Sequence, residues 1–127
     1  MSKQLPKRRI ATAKRVKEAL DILTALNVPR EQQNERSALT LLSLLGMTPR
    51  TAWREAEAPM LGITEMMSVF RDQFGKAYAP NTRETVRRFT VHQFVQIGLV
   101  MANPDDPRRP VNSPDWSLSL HSSRVEP

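Results

Sequence analysis

The chain has 127 residues, of which 39% are hydrophobic, and this is enough for one small domain with a single core. Basic residues outnumber acidic ones 19 to 13, so the net charge is +6 and a polyanionic partner is favoured. There is no cysteine, which excludes disulfides, thiolate metal sites and cysteine nucleophiles and agrees with the cytoplasmic location that we expect.

The first 17 residues carry seven basic side chains and no acidic one. We expect residues 1–8 to be a flexible arm that either follows a phosphate backbone or is simply solvated. From about Arg9, apolar residues recur at spacings of three and four, which predicts a helix over residues 9–27. No apolar run resembles a signal peptide or reaches the ~18 residues of a membrane span, so we expect no membrane partner.

Two core helices are predicted next. Residues 35–45 contain five leucines and almost no polar face, which is typical of a buried helix. Residues 63–74 carry a methionine-rich apolar stripe, and Thr64 is predicted to cap the N-terminus of that helix. Trp53, in the proline-containing stretch between these helices, is expected to cover an edge of the core, and stacking on a base is the alternative.

Residues 81–97 are predicted as one helix with an apolar side. Asn81 is predicted to be its N-cap, with Glu84 reaching back in a capping box, and Gly98 is predicted to end it. The side predicted to face the core carries Val86, Phe89, Thr90, Gln93, Phe94 and Ile97. Together with helix 63–74 and a short connector, this helix forms a helix-turn-helix candidate.

The other side of helix 81–97 suits insertion into a DNA major groove, because arginines and short polar groups lie near its N-terminus. An ordinary amphipathic surface helix is an equally good interpretation of these residues. In that interpretation Arg87 pairs with Glu84 on the same helix, and His92 is a satisfied surface group.

After Gly98 the spacing of apolar residues changes to two. Residues 99–103 and 116–120 are predicted as short strands, joined by a loop that contains four prolines. The predicted fold class is therefore mainly α with a small β-hairpin, a winged helix-turn-helix over residues 9–121, and residues 122–127 are expected to fray.

The sequence offers no complete catalytic or metal site. The two histidines, His92 and His121, lack ligand-like spacing to a carboxylate, and no glycine-rich phosphate loop is present. Two Pro-Asp pairs, at 104–105 and 114–115, look like the start of a nuclease motif that needs a lysine further along the chain. Lys76 is the last lysine, so this motif cannot be completed, and we expect no cofactor in this domain.

One long stretch, Asn-Thr-Arg-Glu-Thr-x-Arg-Arg-x-Thr-x-His-Gln-Phe at 81–94, is specific enough to suggest a family. With residues 29–42, 51–53, 58–59 and 109–113 it resembles the N-terminal domain of BsuBI/PstI-type restriction endonucleases. The resemblance covers about residues 14–120 and implies a winged-helix DNA-binding domain of a type II enzyme. In that family a separate nuclease domain performs Mg²⁺-dependent cleavage at CTGCAG, and this chain departs from the family by lacking that domain.

The resemblance also implies which side chains bind DNA. Arg88, with Arg83 or Arg87, would hydrogen-bond guanine edges, and one good bidentate pair is worth ~1–3 kcal/mol of discrimination. Asn81 and Thr82 would hold a phosphate at the helix N-terminus. The remaining implied DNA contacts are Thr85 and His92 on the helix and Arg108, Arg109 and Asn112 in the wing. No catalytic residue is predicted.

Three functions are compatible with the sequence. The first is a sequence-specific double-stranded DNA-binding domain of a restriction-modification system, which would favour a palindrome if the protein is a homodimer. The second is a stand-alone winged-helix transcription regulator. The third is a protein-interaction module, which the basic arm and wing disfavour and which Val91 and Val95, both expected to be exposed, mildly favour. A neighbouring gene for a nuclease or methyltransferase would separate the first two.

Overall fold

The computed structural model of the chain describes residues 4–103, 108 and 117–120, and within these residues the fold is mainly helical. Three long helices come first, namely α1 (Gln4–Ala25), α2 (Glu35–Leu44) and α3 (Ile63–Phe74). They are followed by α4 (Thr82–Thr85), a π-helical segment (Val86–Val91) and α5 (His92–Gln96), and then by strands β1 (Val100–Ala102) and β2 (Leu118–Leu120). Two short 3₁₀ turns, Arg30–Gln32 and Trp53–Glu55, lie between the long helices.

Helix α2 is the centre of the molecule, as its leucine content predicts. Every residue from Ser37 to Leu44 is buried, because α1 packs on one side of it and α3 and the π-helical segment pack on others. The side chain of Asn34 caps the helix by accepting a hydrogen bond from the Ser37 N–H at 2.9 Å. Gly46 leaves the helix with φ of +66°, a conformation that favours glycine.

Helix α1 begins at Gln4, five residues before the predicted start at residue 9. The basic residues of this stretch are good helix formers, and Pro6 is tolerated because it lies in the first turn, where its missing N–H has no partner to lose. The helix buries Ala19 and Leu23 completely. It ends at Ala25, two residues before the predicted end at residue 27, and Asn27 has φ of +61°.

The stretch between α2 and α3 is attached to α1 by a polar cluster. Arg15 donates from Nε and Nη2 to the carbonyl oxygen of Thr51, at 3.1 and 2.9 Å, and its guanidinium lies 5.9 Å from the centre of the Trp53 ring. Glu18 accepts hydrogen bonds from Arg15 at 2.5 Å and from the Trp53 indole at 3.1 Å. Trp53 therefore covers an edge of the core, as expected, with its polar end satisfied.

Helix α3 differs from the prediction at its start. Gly62 rather than Thr64 occupies the N-cap position, and the carboxylate of Glu65 accepts the N–H of Gly62 at 3.2 Å. Ile63 is buried at the first helical position, so its anchoring in the core sets the helix start one residue before Thr64.

The connector after α3 is anchored by Tyr78. Its hydroxyl donates to Glu35 at 2.9 Å, and its ring meets Phe70 edge-on at 5.9 Å. Lys76 adds a second contact to Glu35, an ion pair at 3.4 Å. Burial, and next the hydrogen bond to Glu35, raise the pKa of the Tyr78 hydroxyl well above its usual range. The connector thereby fixes where the following helix begins.

Strands β1 and β2 pair antiparallel, with Val100 opposite Leu120 and Ala102 opposite Leu118. Beyond the ladder, Asn103 and Ser117 continue the pairing, because the Asn103 N–H donates to the Ser117 carbonyl at 2.7 Å and the Asn103 side chain accepts the Ser117 N–H at 2.9 Å. Most of the predicted loop lies outside the described residues. Across the part of the chain that the structure describes, no helix has both the length and the apolarity to cross a membrane.

Candidate nucleic-acid interface

Residues 82–96 form one continuous composite helix, in which α4 and α5 flank the π-helical segment 86–91. A π-helical turn takes up more residues than an α-helical one, because its hydrogen bonds join residues five apart. Val86 and Val91, five residues apart, accordingly share the buried side, with exposures of 0% and 2%. Thr90 is also fully buried, and its hydroxyl accepts a hydrogen bond from Arg36 of α2 at 3.0 Å.

The π-helical segment overturns two predictions. Phe89 was expected in the core and is 54% exposed, whereas Val91 was expected on the surface and is buried. Both expectations assumed α-helical periodicity, and the wider turn rotates Phe89 away from the core and brings Val91 into it. The predictions for Val86, Thr90 and Phe94 were confirmed, since all three are fully buried.

The predicted capping arrangement at the start of this helix is also wrong. Asn81 has helical backbone angles, φ −71° and ψ −15°, and its side chain makes no capping hydrogen bond. An N-cap residue needs an extended backbone to bring its side chain over the first turn. In this turn the carbonyl oxygen of Ala79 accepts the N–H of Thr82 at 2.9 Å instead, and the Asn81 side chain is exposed.

Glu84 binds arginines rather than the helix N-terminus. Its carboxylate oxygens accept two hydrogen bonds from Nη2 of Arg87, at 2.6 and 2.8 Å, and one oxygen lies 3.2 Å from Nε of Arg88. The hydrogen bond from Arg87 is the main reason that the pKa of Glu84 lies below its usual range. The sequence allowed two roles for Arg87, a DNA contact or a pair with Glu84. The pair with Glu84 is present in the structure.

The two arginines differ in accessibility. The side chain of Arg87 is 28% exposed, and its Nε is buried with no hydrogen-bond partner among the described residues. The side chain of Arg88 is 72% exposed and is held by the single contact to Glu84 that the described residues show. A guanidinium in the position of Arg88 can exchange that contact for a nucleic acid at small cost, because exposed ion pairs contribute only ~0–1 kcal/mol.

The other predicted DNA-binding residues fall into three groups. Asn81, Arg83 and His92 are exposed on the composite helix, while Thr82 and Thr85 are half-buried at its start. Arg108 is exposed. Arg109 and Asn112 lie outside the described residues. The structure thus brings the helix residues together on one element, and the predictions for the wing residues stay predictions.

Two residues that bear on this surface were missed by sequence reasoning. Arg36, on the central helix, orients Thr90 from 54 residues away in the sequence, and nothing local in the sequence indicates this contact. Phe89 was assigned to the wrong side of the helix.

Comparison with known proteins identifies the family. Residues 13–126 match the model of the BsuBI/PstI restriction endonuclease HTH domain. The chain is 55% identical over 111 residues to the type II restriction enzyme BsuBI of Bacillus subtilis, covering 87% of this chain and 35% of that enzyme. It is 38% identical over 104 residues to the type II restriction enzyme AplI of Arthrospira platensis, covering 82% of this chain and 32% of that enzyme.

The fold agrees with this match. The solved structure of the SdaI restriction endonuclease superposes with a TM-score of 0.82 at 30% sequence identity, over 87% of this chain and 34% of that one. The chain thus spans about a third of the length of the relatives it matches. By its sequence and its fold, the chain belongs to the family of BsuBI/PstI restriction endonuclease HTH domains.

Proposed function

We propose that this domain binds double-stranded DNA sequence-specifically for a type II restriction endonuclease. The composite helix enters the major groove, and β1, β2 and the loop between them form a wing beside it. The observation that carries this proposal is the division of the composite helix into two sides. One side is buried against the core at Val86, Thr90 and Phe94, and the other presents Arg83, Arg88 and His92 to solvent.

Arg88 is the main reader of base edges in this proposal. Its exposed guanidinium has the planar geometry that binds guanine O6 and N7 in a bidentate fashion. Arg83 is the better second reader, because it is exposed whereas Arg87 is nearly three-quarters buried and tied to Glu84. Arg87 then stays paired with Glu84 and reads no base.

Contacts to the DNA backbone position the helix without reading sequence. Asn81 and Thr82 lie where the composite helix begins, so their polar groups are placed to bind a phosphate there. Arg108, Arg109 and Asn112 are proposed to bind the backbone or minor groove from the wing. If the full protein is a homodimer, two copies of this domain would read a palindrome.

Cleavage is proposed to reside in the part of the relatives that this chain does not match. That part would supply the carboxylates and the lysine that a Mg²⁺-dependent nuclease needs, since no lysine follows the Pro-Asp pairs within these 127 residues. The domain described here would then select the site and contribute no catalytic group.

The test is selection of bound duplexes from a random pool, followed by affinity measurements on the selected duplex and on a scrambled one. We expect Arg88→Ala to lower the ratio of specific to nonspecific affinity by about five- to 150-fold, the equivalent of ~1–3 kcal/mol from one lost base contact. Arg108→Ala should weaken binding to both duplexes alike, because a backbone contact carries no sequence information.

Equal losses on both duplexes from both variants would remove Arg88 from the role of reader. A pool from which no sequence is enriched would overturn sequence-specific binding itself. In that case the exposed side of the composite helix would bind DNA without sequence preference or serve a protein partner.

A further inference from the structure

Phe89 is an exposed aromatic side chain on the proposed DNA-binding side of the composite helix. The protein has four phenylalanines, and Phe70, Phe74 and Phe94 are at most 3% exposed, whereas Phe89 is 54% exposed. Full burial of a phenylalanine stabilises a protein, and the π-helical segment forgoes much of this stabilisation by turning Phe89 outward. Because the irregular backbone exposes this large apolar group beside Arg88, we expect the group to contact a binding partner.

We infer that Phe89 is a specificity-determining residue that contacts the C5-methyl group of thymine in the major groove. This inference rests on the proposed function, and it adds a reader that makes no hydrogen bond. The C5-methyl group is the one apolar feature of base edges in the major groove, and apolar side chains such as phenylalanine contact it. Arg88 would then identify guanine while its neighbour Phe89 identifies thymine.

The surroundings of Phe89 favour DNA over a protein partner. Arg88, the preceding residue, and His92, three residues later, are both exposed on the same helix, so a binding partner must accept polar and basic groups beside one aromatic ring. A DNA groove lined by phosphates does so, and its base edges offer a methyl group at the centre. An apolar protein surface would instead remove the charged guanidinium groups from water without compensation.

The backbone that carries Phe89 is fixed before any partner binds. Val86 and Val91 are buried on either side of it in sequence, and Thr90, the next residue, is hydrogen-bonded to Arg36 at 3.0 Å. The helix therefore cannot rotate to bury Phe89 without breaking these contacts. A contact through Phe89 thus requires no rearrangement of the helix, which favours its use in binding.

The experiment replaces each thymine of the selected duplex by uracil, which removes the methyl group and leaves every hydrogen-bonding group in place. Affinities are measured for the full 127-residue chain and for Phe89→Ala, Phe89→Leu and Met60→Ala. Met60 is the matched control, because it is an exposed apolar residue at 46% that lies outside the composite helix. Thermal unfolding of each variant verifies that it is folded.

We expect one thymine position, or its symmetry mate, at which uracil weakens binding by the unchanged chain about fourfold, the factor for one methyl group moved from water to an apolar contact. Phe89→Ala should bind the thymine and uracil duplexes equally, whereas Phe89→Leu and Met60→Ala should retain the preference for thymine.

Three results would overturn the inference. The first is specific binding with no sensitivity to uracil at any position, and the second is a thymine preference that survives in Phe89→Ala. In both cases the proposed DNA-binding function stands while the role of Phe89 fails. The third is a pool with no enriched sequence, which would overturn the proposed function and this inference together.

Discussion

Two glutamate–arginine pairs with the same helical spacing have opposite surroundings in this protein. Arg15 and Glu18 are three residues apart on α1, and Glu84 and Arg87 are three residues apart on the composite helix. Arg15 is 13% exposed and also binds the Thr51 carbonyl and the Trp53 ring, so its pair joins separate parts of the chain. Glu84 is 53% exposed and binds only residues of its own helix among the described residues.

This contrast shows that a pair's role depends on what lies around it rather than on its spacing. On α1, burial tends to raise the pKa of Glu18, and the hydrogen bonds from Trp53 and Arg15 outweigh this and lower it. Those bonds consume the hydrogen-bonding capacity of the cluster, which suits a structural attachment. On the composite helix, Glu84 instead pairs with Arg87 and Arg88, and this pairing competes with the binding of a polyanion to the same arginines.

The largest effect expected from this contrast is on stability. Arg15→Met should lower the free energy of unfolding by ~2–3 kcal/mol, because it leaves the Thr51 carbonyl and the Glu18 carboxylate without their charged donor. Arg88→Met, the matched control on the exposed helix, should change it by less than ~0.5 kcal/mol. Urea unfolding of the three proteins measures both values, and equal losses would show that the two regions do not differ as described.

A smaller effect is expected at the connector, which couples the central helix to the composite helix. Tyr78→Phe removes the hydrogen bond to Glu35 and keeps the ring against Phe70, so it should cost ~1 kcal/mol of stability. Because the pKa of Tyr78 is raised in the folded protein, the stability that this hydrogen bond contributes depends on pH. It is present below the ordinary tyrosine pKa of ~10 and is lost as the pH rises beyond that value, because the unfolded chain ionises first.

Tyr78 is the single tyrosine of the protein, so its phenolate absorbance can be followed without interference from another tyrosine. We expect the folded protein to resist ionisation at a pH where the urea-unfolded protein has already ionised. Ionisation of both forms at the same pH would mean that the Tyr78 hydroxyl is neither buried nor bonded to Glu35 in solution. Glu35→Gln, which keeps an acceptor without a charge, should bring the folded pKa closer to its ordinary value.

The extent to which sequence predicted this molecule follows the regularity of its backbone. Helices α2 and α3 lie within a residue of their predicted bounds, since their burial follows a constant period of 3.6 residues. The composite helix was predicted correctly as a helix over residues 82–96. Which of its residues are buried and which are exposed was predicted only in part. A π-helical segment changes the period within the helix, and what holds it includes Arg36, a residue that no local pattern connects to Thr90.

The candidate site was predictable to the same degree. Arg83, Arg88 and His92 were placed on the accessible side by their spacing, and all three are exposed. Arg87 could be given two roles from sequence, and only the position of the Glu84 carboxylate decides between them. The exposure of Phe89 was beyond sequence reasoning, because an aromatic residue three positions after a buried valine ordinarily shares its core.

The smallest expected effect is also the sharpest test of the contrast between the two pairs. Glu84→Gln should raise affinity for all duplexes a few-fold, because it removes a negative charge that repels DNA phosphates and competes for Arg87 and Arg88, and the salt dependence should steepen by up to about one counterion. Glu18→Gln changes the net charge by the same unit. It should leave DNA affinity nearly unchanged and lower the melting temperature instead, since its partners are Arg15 and Trp53. Equal gains in affinity from both variants would indicate a general effect of net charge. A loss of affinity from Glu84→Gln would mean that Glu84 holds the arginines in their binding geometry rather than competing with DNA for them.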